Sequence, residues 1–97
     1  MRRFNLGLTV MTRGIQKAIE DEELTIEEAL NMIDLHLKNE SDICEDDKQI
    51  NEEVIQYKEG RVFSSFNIRN FKIYVITERL EFEEKDIITT ILFANEY

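Results

Sequence analysis

The apolar residues of this chain change period once. Between Ile15 and Tyr57 they recur at helical spacing, and from Arg61 onward they alternate with a period of two. Ahead of both, Leu6 to Thr12 is rich enough in apolar and β-branched residues for a short strand. Ile15, Ala18 and Ile19 then mark a short helix. Thr25 followed by Glu28 has the form of a capping box, in which hydroxyl and carboxylate each take the other residue's amide. Behind it, Ile26, Ala29, Leu30, Ile33 and Leu37 form one apolar stripe, the expected inner face of a second helix. A third helix is expected from about Glu45 to Lys58, with Ile50, Val54 and Tyr57 inward and Gly60 ending it in a left-handed conformation.

Three strands are predicted near 61–68, 71–79 and 86–94. If Arg69-Asn70 is the loop of a hairpin, Ile68 pairs with Phe71, Phe66 with Ile73, Ser64 with Val75, and Val62 with Thr77. That largely apolar face is the one to meet the helices. The opposite face then pairs Arg61 with Glu78, Phe63 with Ile76, Ser65 with Tyr74, and Asn67 with Lys72. Phe63, Tyr74 and Ile76 form an apolar centre rimmed by Arg61, Lys72 and Glu78, the pattern of a partner-binding or oligomer face unless the N-terminal segment or a helix covers it. The doublets Ser64-Ser65 and Thr89-Thr90 straddle their strands, so neither makes a two-hydroxyl site by itself. The expected architecture is α+β, with helices on one face of a small, mainly antiparallel sheet in the order β-α-α-α-β-β-β.

Composition adds bounds. Ninety-seven residues without proline and with only three glycines offer no linker, so residues 1–97 form one domain. No apolar run approaches the ~20 residues of a bilayer span, and the basic start "MRRFNLGLTVM" lacks the long apolar stretch of a signal peptide. Cys44 stands alone, which fits a reducing cytoplasm. The formal net charge is −9, and Arg2, Arg3, Arg13 and Lys17 occupy the first nineteen residues without an acid. The acids gather at Glu20 to Glu28, Glu40 to Glu53 and Glu78 to Asp86, a surface that disfavours direct nucleic-acid binding and suits a basic protein partner. Glu20 to Glu28 and Glu45 to Asp47 surround expected helix starts, where the helix dipole favours them. Glu81, Glu83, Glu84 and Asp86 crowd an inter-strand connection without that compensation and are the acids chosen as a recognition patch.

Sites for catalysis, metals and cofactors are not expected. His36 is the only histidine and falls beside the predicted apolar stripe, with no nucleophile near it in sequence. The acidic run after Cys44 is the wrong setting for a reactive thiolate. "DICEDDKQINEE" places Asp42, Asp46 and Glu53 at calcium-loop positions, but Cys44 stands at the third position and Asp47 where glycine is needed. Glu83-Glu84-Lys85 superficially matches a nuclease carboxylate–lysine motif, but in a connection and without an acidic partner upstream. No glycines group into a phosphate-cradling loop.

Several short blocks occur together: Glu45-Asp46-Asp47-Lys48, Asn51-Glu52, Gly60-Arg61, Phe63-Ser64-Ser65-Phe66, Val75-Ile76-Thr77-Glu78, Thr89-Thr90-Ile91-Leu92 and Glu96-Tyr97. In these the chain resembles a family of small proteins carried by phages, plasmids and other mobile elements, over about half its length. Relatives often have a glycine-containing turn where this chain has Arg69-Asn70, and a shorter connection than Arg79 to Asp86. The resemblance implies a mobile-element setting and supplies no activity. The leading expectation is a non-catalytic accessory protein acting by protein–protein binding. Its sharper form is an acidic nucleic-acid mimic that inhibits a host defence enzyme such as a CRISPR or restriction nuclease. The alternative is a regulatory or structural homo-oligomer, for instance a homodimer. The element order also resembles ribosome-dependent toxin nucleases in outline, but RNA binding needs a basic surface.

Overall fold

A computed structural model describes residues 4–57, 60–79 and 87–97. The order is β1 (Leu8–Met11), α1 (Arg13–Glu20), α2 (Ile26–Leu37), α3 (Glu45–Tyr57), β2 (Arg61–Ile68), β3 (Phe71–Arg79) and β4 (Ile87–Phe93), closed by a 3₁₀ turn at Ala94–Glu96. The α+β architecture and its element order agree with the periodicity. The four strands lie in the order β1-β4-β3-β2. β2, β3 and β4 form an antiparallel meander, and β1 lies parallel to β4. The three helices thus carry the chain from one edge of the sheet to the other.

The hairpin register is the one the alternation predicts, from Arg61 opposite Glu78 to Ile68 opposite Phe71. Arg69 takes the left-handed conformation in its turn, at φ 53°. The strain of that position in a non-glycine residue is offset by its guanidinium, which donates to both Glu28 carboxylate oxygens at 2.9 Å and to the Glu23 carbonyl. The Arg69 hydrogen bond, followed by the Thr25 amide, holds the Glu28 carboxyl below its ordinary pKa. Glu28 is at the same time half of the predicted capping box, both of whose bonds form at 3.0 Å. One carboxylate therefore joins the start of α2 to the tip of the β2–β3 hairpin.

The core comprises Ile15, Ala18, Leu24, Ala29, Met32, Phe66, Ile73, Val75 and Ile91, with Ile33, Leu35 and Phe71 packed against it. Two helices face differently from the sequence expectation. In α2, Ile26 and Leu30 are 63% and 60% exposed, while Ala29, Met32, His36 and Leu37 are buried. The inner face is turned by about 60° from the predicted stripe, and it puts His36 at the centre of the contact. In α3, Ile50 and Tyr57 are 55% and 68% exposed, and the one fully buried residue is Asn51. Both displacements have the same cause: the sheet presents polar groups that require polar partners, hydroxyls on the face beneath α2 and main-chain groups along the β2 edge beside α3.

At the C-terminus, Glu96 anchors the start of α1. Its carboxylate accepts from the Thr12 hydroxyl at 2.7 Å and the Phe93 amide at 2.9 Å. Desolvation opposes the ionised form of Glu96, but these donors and the Gly14 amide outweigh it and lower its pKa.

Candidate functional site

Among the described residues three regions stand out: a sealed histidine, a capped sheet edge and a sheet face without a helix.

His36 lies fully buried between α2 and the sheet. Its Nδ1 is 2.6 Å from Ser64 Oγ and its Nε2 2.8 Å from Thr77 Oγ1. Thr77 Oγ1 is 2.7 Å from Thr89 Oγ1, and Thr89 donates to the Leu6 carbonyl at 2.7 Å. The carbonyl sets the direction of this chain. Thr89 spends its single proton on Leu6, so Thr77 donates to Thr89; His36 must then donate from Nε2–H, and Ser64 donates to Nδ1. Burial lowers the His36 pKa from 6.5 to about 4, which keeps the ring neutral, as this pattern requires. A serine and a histidine at this spacing have the geometry of a nucleophile and its base. Here both are buried, and the group orienting the ring is a hydroxyl instead of a carboxylate. The chain stitches β2, α2, β3, β4 and the segment before β1. Ser64 and Thr89, the inward members of the two doublets, meet within it.

β2 forms one edge of the sheet, and its outward main-chain groups are covered. Asn51 Oδ1 accepts the Phe63 amide at 3.0 Å, and Asn51 Nδ2 donates to the Phe63 carbonyl at 2.7 Å. Ser65 donates its amide to Ser41 Oγ at 3.3 Å, and its carbonyl accepts the Asp42 amide at 2.8 Å. The Asn67 amide reaches the Asp42 carboxylate at 3.1 Å. Asn39, left-handed at φ 57° beyond the end of α2, orients Asn51 by accepting from its Nδ2 at 2.9 Å. Asn39 in turn donates to the Lys48 carbonyl and the Glu52 carboxylate. Asn51 and the loop before α3 thus take the place of a neighbouring strand. Asn51→Ala should cost about 2–3 kcal/mol, since it strips partners from a part-buried amide and carbonyl together; urea unfolding of the variant checks this. The sequence reading gave neither Asn39 nor Asn51 this role, because Asn39 lies beyond the end of α2 and Asn51 lies outside the stripe of Ile50, Val54 and Tyr57 expected to face inward.

The outer face of the sheet carries no helix among the described residues. Phe63 and Tyr74 meet edge to face at 4.8 Å, and Tyr97 meets Tyr74 at 5.9 Å. The Arg61 guanidinium lies 5.5 Å from the Tyr97 ring centroid and donates to its hydroxyl, and it is 3.7 Å from Glu78. The structure therefore brings Arg61, Phe63, Tyr74, Ile76 and Glu78 together, as expected. Ile76 is itself buried, whereas Phe63 and Tyr74 are half-buried and Tyr97 is exposed, so these three rings are the accessible apolar part of this cluster. The N-terminal segment does not cover this face from Phe4 onward. Phe4 packs edge to face on His36 at 5.3 Å, and Leu6 accepts from Thr89, both on the helix side. Glu81, Glu83, Glu84 and Asp86, with the Glu83-Glu84-Lys85 trio, lie outside the described residues.

Among the described residues, no group of His, Cys, Asp and Glu side chains converges as a metal site would require. Cys44 is exposed and unpaired with another cysteine. No described helix is long and apolar enough to cross a membrane. No family model, no curated protein and no solved structure matches this chain.

Proposed function

We propose that this protein is a non-catalytic accessory protein of a mobile element that works in the cytoplasm by binding another protein through the outer face of its sheet. The observation that carries this reading is the cluster of Phe63, Tyr74 and Tyr97 with Arg61 on a face that carries no helix among the described residues. Aromatic side chains beside an arginine supply the large contact area and directional bonding on which binding hot spots depend. The net charge of −9 favours a partner with a basic surface. In the sharper form, the carboxylates occupy a Lys/Arg groove that a host defence nuclease uses for phosphates, and Glu81, Glu83, Glu84 and Asp86 contribute to that contact.

The test is affinity capture from host lysate with a salt gradient, using the parent protein, Tyr74→Glu, and a variant with those four acids changed to lysine. A basic nucleic-acid enzyme should elute at moderate salt from the parent. Each variant, folded by circular dichroism, should bind it at least about tenfold more weakly. Capture that neither variant alters would defeat the reading.

A further inference from the structure

The two edges of the sheet are unlike. The β2 edge is hydrogen-bonded by Asn51, Ser41 and Asp42, whereas β1 is exposed at every one of its residues. The ladder parity shows which β1 groups are free. The Thr12 amide bonds to the Ile91 carbonyl of β4, so the main-chain groups of Val10 and Leu8 also turn toward β4. Those of Thr9 and Met11 turn outward. Gly7, the next residue of the same parity, already gives its amide to Asn5 Oδ1 at 2.9 Å. Two adjacent outward residues remain, each with an amide and a carbonyl that no described group takes.

We propose that two copies of this protein pair through these edges, β1 against β1 and antiparallel about a dyad at Val10, forming one continuous eight-stranded sheet. The spacing selects that register. A dyad at Val10 sets Thr9 of each copy opposite Met11 of the other, so all the free amides and carbonyls exchange hydrogen bonds. A dyad at Thr9 would need the Gly7 amide that Asn5 holds, and one at Met11 would run into the start of α1. Charge selects a second copy as the occupant. Leu8–Met11 carries no charge, and the chain between Phe4 and Ile19 contains no acid, so although each molecule carries −9 the paired segments themselves set no acid against acid. Glu96, which approaches this region, is held by Thr12 of its own copy. Val10 and Leu8, the latter 64% exposed, lie on the outer face, and the dyad joins them into one apolar stripe. The pairing is isologous, and the capped β2 edge stops growth at the dimer. The inference is independent of partner binding through Phe63, Tyr74 and Tyr97.

Met11→Pro is the discriminating variant. It removes an outward amide and leaves the β1–β4 ladder intact, because proline is tolerated on an edge strand when its nitrogen faces away from the sheet. Light scattering over a concentration series should give a dimer for the parent protein and for Tyr74→Glu, and a monomer for folded Met11→Pro. Amide exchange supplies a readout that requires no substitution. Thr9 and Met11 should gain protection as the parent concentration rises, while Val10, already bonded to β4, stays protected throughout. A parent protein of one-chain mass at the highest concentration overturns the proposal. So does a Met11→Pro dimer, or Thr9 and Met11 exchange rates that do not depend on concentration. Loss of the dimer in Tyr74→Glu alone would place the contact on the outer face and equally defeat edge pairing.

Discussion

Lowering the pH from 6.5 to 4 should remove about 3 kcal/mol of folding stability through His36 alone. The folded protein holds this ring neutral, with its pKa pushed down to about 4 by burial, whereas the unfolded chain protonates it near 6.5. Between those values the unfolded state binds the extra proton, so stability falls as pH falls, and it levels off below the folded pKa. Above 6.5 both states are neutral and the contribution is fully present. Geometry reinforces the effect. A proton on Nδ1 confronts the Ser64 hydroxyl 2.6 Å away, which must then turn its own hydrogen elsewhere inside the core. Glu28 and Glu96 have lowered pKa values, so their contributions persist above the ordinary carboxylate range and are lost at lower pH. Urea unfolding midpoints of the parent and of His36→Leu from pH 7.5 to 4 separate these contributions. The variant should be less stable at neutral pH, because Ser64 and Thr77 lose their partner, yet lose less stability on acidification. Parallel curves for the two proteins would show that His36 is not held neutral.

Gly7→Ala should cost about 4 kcal/mol or more and detach β1 from the sheet. Gly7 has φ +62°, and a β-carbon there would sit 2.0 Å from the Ile87 carbonyl oxygen and 2.6 Å from its carbon. Both obstacles are backbone, so relief requires moving β1 away from β4. That movement also withdraws the Leu6 carbonyl from Thr89 at the end of the buried hydrogen-bond chain. Gly60 is the control. Its φ is +91°, but an added β-carbon meets only Val54 Cγ2 at 3.4 Å. Gly60→Ala should therefore cost little more than the ~1–2 kcal/mol of the left-handed conformation. Denaturant unfolding of the two variants side by side checks the ranking; equal losses would mean that the close approach of Gly7 to Ile87 does not constrain the fold.

Features set by neighbours in sequence were legible from the sequence. The capping box at Thr25 and Glu28 depends on residues three apart, and both of its bonds form. The hairpin register follows from strict alternation across a two-residue loop, because a slip of one residue would turn Phe66, Ile73 and Val75 away from the helices. The outer cluster of Arg61, Phe63, Tyr74, Ile76 and Glu78 came with that register. Tyr97 could not, since nothing local places the chain end on Tyr74.

The inner faces of α2 and α3 were decided by tertiary structure. Hydrophobicity alone favours Ile26 and Leu30 inward, but Ser64, Thr77 and Thr89 stand on the sheet face that α2 covers. A buried hydroxyl without a partner costs more than an exposed isoleucine, so the helix turns His36 toward them. The same reasoning puts Asn51 inward and leaves Ile50 and Tyr57 in solvent, because the Phe63 amide and carbonyl at the β2 edge need partners. The position of β1 likewise rests on long-range contacts: its pairing with β4 joins residues at opposite ends of the chain and opens the edge from which we infer a dimer. Local alternation and capping thus wrote the elements and the hairpin into the sequence. Satisfying buried polar groups contributed by distant strands decided which way the helices face.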